Sequence, residues 1–336
     1  MSDSNNLKSV EKTLPSYCYY DRSFYNDELN NIWNKSWIYV CHSSNLNEKL
    51  TYKTFKIGLQ NIIVLRDNNN QLKAYFNACR HRGSLLCESE KGKLSSNVIV
   101  CPYHQWSYKI DDGSLNKISS FTETEGFKKS NYSLFNIKVK VWRGCIFVNL
   151  QNNSKWDEKK LFQRPATNLV NFPIERMVCG HTWRKEIKCN WKIFWENFNE
   201  CLHCPNIHPE LTDLVPIFSR RIMNIKDHPD WEKNYDLNDP KFSGGLRNKA
   251  ETWSNDGSAQ GHFISGLSET DIQRGHTYAS AWPSVFIGAY ADHLRIVRIL
   301  PKGSEKLELI SEWLFQEETL KDKNYDIENV IQFALS

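Results

Sequence analysis

The paired segments "NACRHRGSLL" (77–86) and "CPYHQWSY" (101–108) carry Cys-x-His and Cys-x-x-His, separated by nineteen residues. Two Cys and two His suit a tetrahedral zinc site. The order favours a different metal. Each half supplies one Cys and one His, whereas zinc fingers group Cys with Cys and His with His. A [2Fe–2S] cluster of mixed ligation needs the pairing found here, with two thiolates on one iron and two imidazoles on the other. Neutral imidazoles leave less negative charge on the cluster than thiolates, which raises its potential and suits it to accept electrons. Cys87, between the halves, reads as an ordinary buried thiol.

Outward from these loops, short strands alternate with polar turns. "WIYVC" (37–41), "NIIVL" (61–65), "NVIVC" (97–101), "IKVKVW" (137–142) and "CIFVNL" (145–150) predict an all-β region over 38–150. Ile137, Val139 and Val141 alternate as a half-buried strand does. Leu29, Ile32, Trp33 and Trp37 recur at helical spacing, predicting an amphipathic helix over 22–36. Residues 1–37 are expected to form a helical segment packing on the region beyond 160. The polar run "QNNSKWDEKK" (151–160) marks a boundary, and 160–336 reads as a second region. Its helical stretch is followed by a polar, Gly-containing segment (243–275), either a lid or a loop. Strands "HLRIVRIL" (293–300) and "LELISEWLF" (307–315) come next, the latter with Leu307, Leu309 and Trp313 alternating against charged neighbours. A last helix starts near Asp326. Helices and strands segregate, so the fold class is α+β.

Composition excludes some functions. The 336 residues carry 43 Lys and Arg against 39 Asp and Glu, giving a net charge of +4 and no case for nucleic-acid binding. No run of 18 apolar residues suggests a membrane span, and no secretory signal opens the chain. A cytoplasmic setting is expected, in which clustered cysteines bind metal more often than they pair.

The second motif is "NWKIFWENFNECLHCPNIHPEL" (190–211). Cys201 and Cys204 would make a zinc knuckle only with another Cys pair, and none is evident; a merely structural histidine pair is the other alternative. Five residues on an ideal helix set two side chains about 140° apart, so Pro205 is expected to break the helix and let His208 turn back toward His203.

Together the motifs resemble the Rieske non-haem iron oxygenases, the family of the ring-hydroxylating dioxygenase alpha subunits. Two departures are Gln105, where the family usually has Gly, and a slightly long spacer. The resemblance implies that Cys79, His81, Cys101 and His104 hold the Rieske [2Fe–2S] cluster. It implies that His203 and His208 ligate a mononuclear Fe(II) in a helix-grip, START-like catalytic domain with an antiparallel sheet. Glu200 would bridge a Rieske histidine of the neighbouring subunit and a ligand of that iron, which implies a ring, usually a homotrimer. "ENFNECLHC" (196–204) and the N-terminal "LPSYCYYDRSFYNDELNNIWNKSWIYV" (14–40) are similar to the subgroup acting on quaternary ammonium compounds, the glycine betaine and carnitine oxygenases.

The resemblance also implies a third iron ligand, an Asp following Gln on the last helix. "NYDIENVIQFALS" (324–336) starts that helix without a Gln-Asp pair, so the sequence is expected to be shortened there, with Asp326 a weak candidate for the ligand. A trimethylammonium group offers no N–H, so a pocket must hold it by cation–π contact. Trp195, Phe198, Trp253, Tyr278, Trp282, Phe286 and Tyr290 are the candidates, and two or three are expected to serve. The implied activity is O2-dependent N-demethylation with release of formaldehyde, fed by an NAD(P)H-dependent flavin and iron–sulfur reductase. The rivals are an arene-hydroxylating alpha subunit and an electron-transfer fragment whose iron site lacks its third ligand.

Overall fold

The structure, a computed structural model, describes residues 12–119, 123–164, 166–219 and 244–336. The first 11 residues of the expected helical segment and Ser243, at the head of the polar segment, lie outside these.

Ten strands build the N-terminal β region: β1 Ile38–His42, β2 Thr51–Ile57, β3 Gln60–Arg66, β4 Leu72–Phe76, β5 Lys91–Lys93, β6 Val98–Val100, β7 Ser107–Lys109, β8 Leu115–Lys117, β9 Lys138–Trp142 and β10 Cys145–Asn149. They form sheets ordered β1-β10-β9, β4-β3-β2-β5 and β6-β7-β8. The third sheet and the loops after β4 and β6 close on a core of Ile63, Leu65, Tyr75, Ile99, Trp106 and Tyr108. The two Cys–His loops therefore spring from a packed base.

The second region adds β11 Phe162–Arg164, β12 Val178–Ile187, β13 His276–Ala281, β14 Val285–Tyr290, β15 Leu294–Gly303 and β16 Lys306–Phe315. They form one antiparallel sheet ordered β11-β13-β14-β15-β16-β12. The helix Trp191–Phe198 lies against one face of it, where Trp191 and Trp195 share a core with Phe286, Val297 and Ile299. The Asn190 side chain starts this helix by accepting from the Lys192 N–H, which satisfies an N-terminal donor.

The expected N-terminal helix forms as Arg22–Glu28 followed by a π-helical turn over Leu29–Trp33. Trp33 packs edge-on against Trp191 with ring centres 5.3 Å apart. Glu28, almost fully buried, accepts from Trp191 Nε1 at 3.0 Å and pairs with Lys192 Nζ at 2.7 Å. A buried carboxylate needs such partners.

Two strand patterns differ from the sequence reading. Val141 is exposed although Ile137 is buried, so β9 lacks the clean alternation expected of it. In β16 the charged neighbours are buried too. Glu312 accepts from Tyr39 Oη, the His42 N–H and Asn45, all in or just after β1, and Glu308 pairs with Arg298 and Lys302. The N-terminal β region thus covers the charged face of this strand at Glu312.

Candidate metal centres and the cavity beside them

The two Cys–His loops are built alike. Gly83 N–H donates to Cys79 O at 2.9 Å, and Gln105 N–H donates to Cys101 O at 3.0 Å. Both donors stand four residues after their Cys and both have positive φ, +74° at Gly83 and +58° at Gln105. The turns bring like donors together. His81 and His104 lie with ring centres 4.8 Å apart, and His81 stacks on Trp106 at 4.9 Å. Cys79 Sγ is 3.1 Å from Tyr108 Oη and within hydrogen-bonding reach of Cys101. Burial, then the charges of His104 and Arg82, hold the His81 imidazole toward its neutral, ligating form. Its Nδ1 is shut from solvent with no hydrogen-bond partner among the described residues.

In the second motif, the helix ends at Phe198 and Glu200 follows in irregular chain. His203 and His208 bracket a single helical turn, Cys204–Ile207. Pro205 sits in the first turn of that helix, where a missing N–H costs nothing, so the expected break there does not occur. The break falls at His208, with φ −127° and ψ 64°, because Pro209 disfavours helical torsions in the residue before it. The rings of His203 and His208 end 5.6 Å apart at 74°. Glu200 Oε1 lies 2.8 Å from His203 Nδ1, and its other oxygen accepts from the Leu202 N–H. These two bonds, His203 first, hold the carboxyl below its usual range and place the histidine proton on Nδ1.

A cavity of about 600 Å³ opens beside this pair, lined by Glu200, His203 and His208. Phe198, Trp253, Tyr278, Phe286 and Tyr290 supply its aromatic wall. Phe198 stacks on Phe286 at 4.1 Å, and Trp253 lies 5.0 Å from Tyr290. The polar segment, described over 244–275, is packed and not loose. Thr252 bonds the buried Asp292, and the Asn255 N–H donates to Asn329 O, which brings Trp253 to the wall.

Residues 36–129 match the Rieske [2Fe-2S] domain, and residues 174–334 match the catalytic domain of the ring-hydroxylating alpha subunit. The chain thus carries a Rieske domain followed by a ring-hydroxylating alpha-subunit catalytic domain. It is 35% identical to the carnitine monooxygenase oxygenase subunit of Acinetobacter pittii over 62% of this chain and 56% of that one. The chain thus spans little more than half the length of such relatives. It is 26% identical to the glycine betaine monooxygenase oxygenase subunit of Pseudomonas aeruginosa, over 94% of this chain and 76% of that one. Its fold is like that of the quaternary ammonium Rieske monooxygenase CntA, with TM-score 0.69 and 23% identity over 96% of this chain and 79% of that one.

The two domains of a Rieske-type alpha subunit imply a [2Fe–2S] cluster and a mononuclear iron, and the donors present fit both. A cluster with two irons needs a thiol pair and an imidazole pair, not one converging foursome. That is the arrangement of Cys79 with Cys101 and His81 with His104. At the second centre a carboxylate-backed imidazole leaves Nε2 for a metal, as ligating histidines do. Among the described residues no third His, Cys, Asp or Glu converges with His203 and His208.

Three site expectations are corrected. Asp326 is the N-cap of the last helix, accepting from the Glu328 N–H at 3.0 Å, and does not line the cavity. Trp195 is a core residue whose Nε1 donates to Pro283 O at 2.8 Å. Trp282 packs on Trp191, 5.6 Å away, and is also outside the cavity. Phe218, Phe333, Glu210 and Arg295 line it unanticipated. Arg295 left a readable trace, as a lone cation in phase with Val297 and Ile299 on an apolar strand.

Proposed function

We propose that the chain is the oxygenase component of a Rieske monooxygenase that demethylates a small quaternary ammonium compound. One observation carries the reading: the cavity that holds the His203–His208 pair is walled by aromatic side chains, Phe198, Trp253, Tyr278, Phe286 and Tyr290 with Phe218 and Phe333. Aromatic faces hold a trimethylammonium group that cannot donate a hydrogen bond. The names of the carnitine and glycine betaine monooxygenase relatives support the same substrate class.

When bound, the cluster and the iron supply electron delivery and dioxygen activation. The chain's own residues do the rest. Cys79, His81, Cys101 and His104 present the cluster, and His203 and His208 the iron. Glu200 holds the Nδ1 proton of His203 and offers its carboxylate toward a Rieske histidine of a neighbouring subunit in a homotrimer. The aromatic wall turns an N-methyl group toward the histidine pair. A hydroxylated N-methyl group collapses to the tertiary amine and formaldehyde, with NAD(P)H supplying two electrons through a flavin and iron–sulfur reductase.

The test is turnover of the iron-loaded protein with such a reductase, comparing glycine betaine, carnitine and benzoate for formaldehyde release. Formaldehyde in step with quaternary ammonium consumption supports the proposal. A hydroxylated arene without formaldehyde would favour an arene oxygenase, and two irons per two sulfides with no turnover would favour an electron carrier.

A further inference from the structure

We propose that Arg295 is the counter-ion for a carboxylate on the substrate, so that the cavity takes a zwitterion in preference to a purely cationic alcohol. This rests on the reading of the cavity as a quaternary ammonium site. The placement follows from sheet register. Tyr278 pairs with Gly288, Gly288 with Arg295, and Arg295 with Trp313. Directly opposed residues project to one face, and this is the face the helix Trp191–Phe198 covers.

Gly288 makes the room. A Cβ there would meet Tyr290 Oη at 2.6 Å, so the missing side chain lets the Tyr290 hydroxyl lie over the strand. Tyr278 and Tyr290 bond each other through their hydroxyls, and both are electrostatic neighbours of Arg295. The wall is thus apolar and aromatic at Phe198 and Phe286, and polar and positive around Arg295.

Among the described residues the guanidinium is held but not neutralised. Its Nε donates to Ser311 Oγ at 2.8 Å, and its carbon lies 5.1 Å from the Trp313 ring centre. Among the described residues no carboxylate comes within ion-pair distance of it. Arg298, three residues on, pairs with Glu308 and donates to Val40 O. Of the carboxylates in the cavity, Glu200 is taken by His203 and Glu210 accepts from Ser336 Oγ at 3.0 Å. Burial lowers the Arg295 pKa, the mark of a cation short of solvent and of a partner. An incoming carboxylate would relieve that deficit with two parallel hydrogen bonds. A substrate bearing only positive charge would deepen it.

Titration calorimetry of the iron-loaded protein with glycine betaine and with choline tests the assignment, because both carry the trimethylammonium group. Glycine betaine is expected to bind wild type about 10- to 100-fold more tightly than choline, the span of one charged hydrogen-bonded contact. Arg295→Gln is expected to erase that preference while leaving choline binding as strong or stronger, and Arg295→Lys to keep part of it. Preference retained in Arg295→Gln, or equal weakening of both ligands in a variant that melts normally, overturns the assignment. Should Arg295→Gln fail to fold, a wild-type protein that does not discriminate overturns it equally. Trp253→Leu separates the two readings. If it leaves both affinities untouched, or if neither ligand binds wild type, the quaternary ammonium reading falls and takes this inference with it.

Discussion

Glu200 Oε1 stands 2.8 Å from His203 Nδ1, three residues along the chain. That contact sets the tautomer of one imidazole and leaves its other nitrogen for a metal. Glu200→Gln keeps the shape and removes the charge. It is expected to weaken iron binding by about 10- to 100-fold, measured by competition with a chelator, the usual penalty for losing such a backing group. The absorbance of the [2Fe–2S] cluster should be unchanged. Equal iron affinity in variant and parent would mean that the carboxylate does not serve the metal.

Gln105 holds φ +58° in a turn whose counterpart at the other loop is Gly83. Side chains disfavour that region by about 1–2 kcal/mol, partly offset by glycine's greater freedom in the unfolded chain. Gln105→Gly is therefore expected to raise the melting temperature slightly, by up to about 1 kcal/mol of stability. Gly83→Ala should lower it by a similar amount. A destabilised Gln105→Gly protein would show that the glutamine side chain makes a compensating contact.

Two tryptophans that look alike in sequence should behave differently. Trp195 is buried with its Nε1 bonded to Pro283 O, and Trp195→Ala should cost about 3–5 kcal/mol in denaturant unfolding. Trp253 lines the cavity, and Trp253→Leu should weaken binding of a trimethylammonium ligand by about 0.5–2 kcal/mol. Reversed phenotypes would contradict the placement of both.

Asp326 caps the last helix through the Glu328 N–H. Asp326→Ala should cost about 1 kcal/mol of stability, Asp326→Asn much less, and neither should alter iron content. Loss of iron in both variants, measured by metal analysis, would restore Asp326 as a ligand.

His276 packs among Trp253, Phe218 and Tyr278, with Nδ1 shut from solvent and unpartnered among the described residues. Burial first, and the charge of Arg274 second, push its pKa from 6.5 down to about 4. The folded protein thus refuses a proton that the unfolded chain accepts. Stability from this residue is complete above pH 6.5 and drains away as the pH falls toward about 4, by up to about 3 kcal/mol. Unfolding free energies across that window should show the slope, and His276→Gln should flatten it. A parallel slope in the variant would assign the acid lability elsewhere.

The Cys-x-His and Cys-x-x-His pairing is legible in residue type and spacing, whereas His203, His208 and Glu200 are implied by the family resemblance; the structure brings His81 beside His104 and Glu200 and His208 beside His203. Even there the local mechanism needed the fold: Pro209, not Pro205, turns the chain at His208. In β16 charged residues alternate with apolar ones in sequence, yet Glu312 is buried against a region more than two hundred residues earlier, and Glu308 pairs with Arg298 and Lys302.

From sequence alone came the metal chemistry, the α+β class and the stock of aromatic residues, all written in residue type and short spacing. The tertiary structure decided which of those aromatics share a cavity, sending Trp195 and Trp282 to the core and keeping Trp253 and Tyr290. It also placed Arg295 across from Gly288 and Tyr278. Strand register joins residues far apart in the chain, and a slip of one position would turn every side chain to the other face. No local spacing encodes that choice; packing of the whole sheet against its helix does.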